Sequence, residues 1–229
     1  MRVLVIAPHA DDETLGMGGT IALMVERGLE VHVAVITGHG EKKEHPIWPI
    51  DNWDNIIKEN KKALKILGVS NIIYTNLPAL CIENMPRWEI NKVFFELISN
   101  IKPDEIYVPF VHDLHKDHES IFYAVNVATR PYLKTSNSIR RILAYETLSE
   151  TNLQYPTSNN HFNPNVFVDI SNTIRKKLDA LKEYKSQLQD DNLPRSLKGV
   201  EALATIRGNH IGCNAAEAFV LLGEYNRYH

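Results

Sequence analysis

A chain of 229 residues with 44% hydrophobic and 23% charged residues has the make-up of an ordinary globular protein, which excludes disordered, collagen-like and coiled-coil classes. The formal charge of −3 leaves no basic surplus for nucleic acid, and the Arg175-Lys176-Lys177 run reads as one solvated helix face. Two cysteines, Cys81 and Cys213, far apart and with no C-x-x-C spacing, exclude a disulfide framework and a cysteine zinc site, and no apolar run reaches the ~20 residues of a membrane span.

The N-terminus enters a strand directly, Arg2 to Ala7, without the pattern of a secretory leader, so a cytoplasmic location is expected. Thr14 to Gly28 then reads as a helix with apolar Leu15, Ile21, Leu23, Met24 and Val25, and Gly16, Gly18 and Gly19 allow it to pack close to the strand. Strand Glu30 to Ile36, helix Asp54 to Leu67 ending at Gly68, strand Asn71 to Thr75, helix Trp88 to Ile101 and strand Asp104 to Pro109 follow. Between the second strand and its helix, the loop Thr37 to Trp53 is long enough to shape a pocket. A helix from Glu119 to about Thr129 is closed by Pro131, and Ile139 to Glu146 and Val166 to Asp169 read as strands flanking a polar loop, TSNNHFNPN. Ser171 to Gln187 is a charged amphipathic helix, Leu197 to Ile206 another helix, and Ala218 to Leu222 a short strand or helix.

This alternation predicts a single α/β domain over residues 1–229: a Rossmann-like, doubly wound, mainly parallel sheet with helices on both faces. With strand order 3-2-1-4, ligands bind beyond the carboxyl ends of strands one and four, where the winding reverses. Two loops then share one crevice: PHADDE after strand one and HDLHKDH after strand four. Three adjacent carboxylates at a strand end repel one another unless a cation holds them. His9 and Asp12, with His118 from the second loop, are a suitable zinc set that keeps a position for water. A neighbouring acid, Asp11 or Glu13, can then act as base, His115 can serve the developing oxyanion or the leaving group, and Asp117 or Asp113 can hold its imidazole.

The pair PHADDE and Asp113-Leu114-His115-Lys116-Asp117-His118, with the late stretch IRGNHIGCNAAEAF, resembles the signature of the LmbE-like, or PIG-L-type, zinc-dependent N-acetylglucosaminyl deacetylases. The resemblance covers most of the chain. It implies His9, Asp12 and His118 as ligands of Zn2+ or another divalent ion, Asp11 as general base, His115 as electrophilic or acid partner and Asp117 as its orienting residue. Glu13 then either backs the residues that hold the metal or contacts substrate, and Asp113 is expected on the substrate side. It further implies removal of an N-acetyl group from an amino sugar or glycoconjugate, with release of acetate, and a homo-oligomer is plausible on the same ground. The chain departs from the pattern at Ala10 and Lys116, where proline is usual, and at Ile56, which replaces a substrate-contacting arginine on a helix that keeps Glu59, Ala63 and Leu67-Gly68.

Asp11 or Asp12 can be a simple helix N-cap, but a cap explains neither His9 nor the second cluster. The glycines after the acidic run do not make a dinucleotide site, because the acids repel a pyrophosphate. His32, His39, His45, His161 and His210 read as structural or surface residues, and Arg207 and Glu217 have no role derivable from sequence. A metal-dependent phosphoesterase and a non-catalytic sugar or nucleotide-sugar binding domain are the alternative functions.

Overall fold

The computed structural model describes residues 1–40, 49–155, 157 and 160–226; His45 and part of the long loop before the second helix lie outside them. Among the described residues, seven strands form one sheet in the order β3-β2-β1-β4-β5-β7-β6. They are β1 (Arg2–Ala7), β2 (Glu30–Gly38), β3 (Asn71–Pro78), β4 (Glu105–Pro109), β5 (Arg141–Tyr145), β6 (Val166–Asp169) and β7 (Ala216–Glu224). The pairs from β3 to β5 are parallel, and β7 runs antiparallel between β5 and β6. The 3-2-1-4 order expected from the β-α alternation is therefore present, with β1 and β4 paired through Val5 and Tyr107.

The core explains the unbroken apolar run of β1. In a strand successive side chains face opposite ways. Val3, Val5 and Ala7 thus enter one apolar layer and Leu4 and Ile6 the other. The first layer is closed by helices α1 (Asp12–Glu26), α2 (Ile50–Leu67), α5 (Ile174–Leu181) and α6 (Leu197–Asn209), and the second by α3 (Arg87–Ile101) and α4 (Lys116–Ala128). Gly68 closes α2 in the left-handed conformation, φ 84°, as its position after the last apolar residue suggested.

Helix α1 is buried along nearly its whole length. A Cβ on Gly16 would run into the ring of Tyr145, so glycine at this position is what lets the helix sit against β5. Gly16→Ala is expected to cost about 1–3 kcal/mol through overpacking, lowering Tm by roughly 2–12 °C in a thermal melt.

One expectation is corrected, and one open alternative is decided. The amphipathic stretch Ser171 to Gln187 is helical only over Ile174–Leu181. Beyond it the chain leaves helical geometry because tertiary bonds claim it. The Tyr184 hydroxyl donates to Glu13 Oε1 at 2.7 Å, and the Ser186 N–H and hydroxyl bind the Glu59 carboxylate at 3.2 and 2.6 Å. The tail element expected at Ala218 to Leu222 is a nine-residue strand, and its reversed direction carries Glu217 to the same end of the sheet as the carboxyl end of β6, where Asp169 pairs with Ala216.

Glu217 has a role there that sequence did not show. The α1 backbone breaks at Met17 (φ −147°, ψ 25°), and the second half of the helix begins with N–H groups in need of acceptors. The Glu217 carboxylate takes those of Gly19 at 3.0 Å and Thr20 at 2.6 Å, while buried Lys177 balances its charge at 2.6 Å. Arg207 grips the end of β5 by a two-pronged bond to Glu146, at 2.8 and 2.7 Å, and lies over the Phe162 ring.

Candidate active site

The loop after β1 is folded back on itself. Thr37 donates both its N–H and its hydroxyl to Pro8 O, fixing where the loop leaves the strand. The His9 N–H donates to Asp12 Oδ2 at 2.8 Å, and the N–H groups of Thr14 and Leu15 bond to the carbonyl of Asp11. Asp11 thus stands at the head of α1, but its side chain makes no capping bond, so the N-cap reading does not account for its carboxylate.

The second loop delivers His118 from the first turn of α4. Its side chain is 0% exposed, and its Nδ1 lies 2.8 Å from Asp113 Oδ2; Asp113 Oδ1 in turn accepts from the Thr151 hydroxyl. A carboxylate on Nδ1 fixes the tautomer with Nε2 free to act as a ligand. His9 is held the opposite way round, with Nε2 3.1 Å from Asp117 Oδ2 and Nδ1 turned inward. The same Asp117 oxygen accepts the Leu80 N–H at 2.8 Å.

Three donor atoms converge in consequence. His9 Nδ1 and Asp12 Oδ2 are 3.2 Å apart, Asp12 Oδ2 and His118 Nε2 3.2 Å, and His118 Nε2 and His9 Nδ1 3.4 Å. A tetrahedral site with bonds of about 2.0–2.1 Å has edges of about 3.3 Å, so the triangle has the size and the nitrogen–oxygen chemistry of one face of such a site. The electrostatics agree. Burial alone would raise Asp12, but His118 and His9 hold its carboxyl well below the ordinary range. Burial would lower His9, yet Asp117 and Asp12 push it up to about 9, and Asp12 and Asp113 push His118 well above its usual value. The cluster is built to surround positive charge.

Two groups flank the triangle without joining it. Burial and the adjacent Asp12 push the Asp11 carboxyl up to about 6, against the opposing pull of Arg195, whose Nη1 lies 3.5 Å away. His115 lines the cleft and is the N-cap of α4: its Nδ1 accepts the Asp117 N–H at 3.1 Å. Accepting there places the proton of the neutral ring on Nε2. Burial and the nearby His9 push its pKa down to about 4, so it is neutral and a hydrogen-bond donor at physiological pH.

The structure revises three expected placements. The Asp117 carboxylate sits 3.9 Å from His115 Nδ1 because it is occupied by His9 and Leu80; its backbone N–H supplies the orienting bond instead. Asp113 is buried behind His118 rather than beside a substrate. Glu13 is fully buried below the cleft, its Oε1 accepting from Tyr184, from Thr14 at 2.8 Å and from Asn60 at 3.1 Å, and burial pushes its pKa up to about 7. It ties the first turn of α1 to α2 and to the segment after α5. Asp117→Asn, which weakens the grip on His9, is expected to lower metal affinity about 10–100-fold with the fold intact, measured by competition with a chromophoric chelator.

Above the triangle lies a cleft of about 510 Å3, within the usual range for small-molecule sites. Its walls include Trp53, Asn55 and Ile56 of α2, Leu80, Glu150 and Arg195. Leu80 (φ 60°) and Ser149 (φ 77°) are left-handed non-glycine residues at its edge, a strain often found at binding sites. Neither Arg195 nor Glu150 belongs to a recognisable motif; each reaches the cleft only through tertiary folding.

A family model described as GlcNAc-PI de-N-acetylase (PIG-L) matches residues 4–129. An uncharacterized deacetylase, YaiS, of Escherichia coli is 28% identical over 196 residues, spanning 80% of this chain and 90% of that protein. Diacetylchitobiose deacetylase of Thermococcus kodakarensis is 27% identical over 208 residues, with 83% and 71% coverage. The solved structure of N,N′-diacetylchitobiose deacetylase from Pyrococcus horikoshii superposes with a TM-score of 0.75 at 24% identity, over 96% of this chain and 83% of that one, and shares the fold.

Proposed function

The chain belongs to the GlcNAc-PI de-N-acetylase (PIG-L) family, and from that premise we propose that it is a zinc-dependent hydrolase that removes the N-acetyl group from an N-acetylated amino sugar. The observation that carries the reading is the triangle of His9, Asp12 and His118, with the Asp11 carboxylate, bonded to none of the three side chains, on one side and a neutral imidazole donor on the other. A divalent ion held by those three residues would lower the pKa of a water and polarise the acetamide carbonyl. Two imidazoles and a carboxylate favour zinc among the common ions.

The remaining steps fall to side chains. Asp11, ionised above about pH 6, takes a proton from the attacking water as the new C–O bond forms. The His115 Nε2–H donates to the carbonyl oxygen as it gains negative charge. Asp11 then returns its proton to the nitrogen, the C–N bond breaks, and acetate and the free amine leave. Asp117 and Asp113 keep the two ligand imidazoles in their working tautomers throughout.

Purified protein incubated with N,N′-diacetylchitobiose and with N-acetylglucosamine is expected to release equal amounts of acetate and primary amine, and to contain one metal ion per chain. Chelation should abolish turnover and readdition of zinc restore it. Two ions per chain with phosphate released from a sugar phosphate would favour a phosphoesterase, and tight sugar binding without amine release a binding domain.

A further inference from the structure

We propose that Arg195 is the substrate-orienting residue of this cleft, donating from its guanidinium to an uncharged oxygen of the sugar ring that carries the acetamide. The inference rests on the deacetylase reading above and adds to it the feature of the substrate that is read.

Arg195 lies on a loop, yet its backbone is fixed from both sides. The Gln189 N–H donates to the carbonyl of Arg195 at 3.0 Å, and the Arg195 N–H donates to Gln189 Oε1 at 3.0 Å, so a single glutamine clamps the ends of the 190–194 turn. Leu193 N–H to Asp190 O, at 2.8 Å, tightens the turn, and the Ser196 hydroxyl caps α6 immediately afterwards. A cation that served only solubility would not need a mount of this kind.

The side chain is 30% exposed and lines the cleft beside the base. A guanidinium offers five N–H donors in a rigid fork. Here Nη1 makes a long contact of 3.5 Å to Asp11 Oδ2, and Nε is buried with no acceptor among the described residues. The terminal N–H groups beyond it belong to a side chain 30% exposed at the cleft wall, where a ligand oxygen can meet them. Among the described residues that line the cleft it is the one arginine or lysine, while α2 contributes Ile56 between amides and Trp53.

The surroundings set what it reads. Asp11 and Glu150 line the same cleft, and the positive charge of Arg195 acts on both carboxyls. With its charge matched by those two groups, the guanidinium suits a hydroxyl or ring oxygen better than a phosphate or carboxylate, which the same acids would repel.

The test compares wild type, R195Q and R195K on N,N′-diacetylchitobiose and on N-acetylglucosamine 1-phosphate, with sugar affinity measured separately by calorimetry on the metal-loaded protein. R195Q is expected to raise KM for the neutral disaccharide, and to weaken its binding, by about 10–100-fold, with kcat changed much less and one metal ion per chain retained. R195K should fall between, and guanidinium ion added to R195Q should restore part of the lost kcat/KM. Unchanged KM and affinity with kcat alone reduced would overturn the proposal and leave Arg195 acting only through Asp11. A loss confined to the phosphorylated sugar would overturn it as well, as would a wild type that binds no N-acetylated sugar. If wild type binds the disaccharide but releases no amine, the deacetylase reading fails, and the affinities of the variants still decide the role of Arg195.

Discussion

Asp11→Asn is expected to lower kcat by about 10²–10⁴-fold while metal content stays near one ion per chain. Asparagine keeps the size and place of the side chain but cannot take a proton, and Asp11 makes no bond to the ligand triangle that its loss would loosen. The pH profile supplies a second reading. As a base, Asp11 works when ionised, so wild-type activity should fall as pH drops through about 6 or somewhat lower, since a bound metal ion favours the charged form. The variant should lose that acid limb together with the rate. If metal and activity were lost in equal proportion, Asp11 would be a ligand and the assignment of the base would be wrong.

His118→Ala should empty the metal site and also weaken the protein beyond what metal loss explains. The imidazole is wholly buried between Asp12 and Asp113, at 3.2 and 2.8 Å, and its removal leaves two buried carboxylates without their shared partner. Breaking a buried pair of this kind costs about 3–5 kcal/mol, or roughly 6–20 °C in Tm for a chain of this size. The informative comparison is with chelator-treated wild type, which lacks metal but keeps the imidazole. The variant should melt below it. Equal melting temperatures would show that His118 contributes through the metal alone.

The sheet and the two motif-bearing loops were legible in the sequence because their signals are local. An unbroken apolar run marks β1, a strand buried on both faces, and Gly68 marks the end of α2. The switch-point rule then brings residues 9 and 118 together without any long-range information. What escaped was decided by partners distant in the chain. The charged stretch after Ser171 has helical periodicity to Gln187, but Tyr184 is drawn to Glu13 and Ser186 to Glu59. Glu13 looked like a third acid of the crevice because periodicity cannot say that α1 turns it inward. Asp117 and Asp113 were assigned by their closeness in sequence to His115, whereas geometry gives their carboxylates to His9 and His118. Arg195 had no signal, since neither its turn nor its neighbours are recognisable without the fold.

The cap that Glu217 places on the broken middle of α1 bears on how the site is held together. It joins positions 198 residues apart, so the helix that follows Asp11 and Asp12 draws part of its support from the far end of the chain. The antiparallel edge of the sheet is thereby tied to the helix that begins at the metal-facing turn, and the last strand contributes to holding the element that presents the ligands.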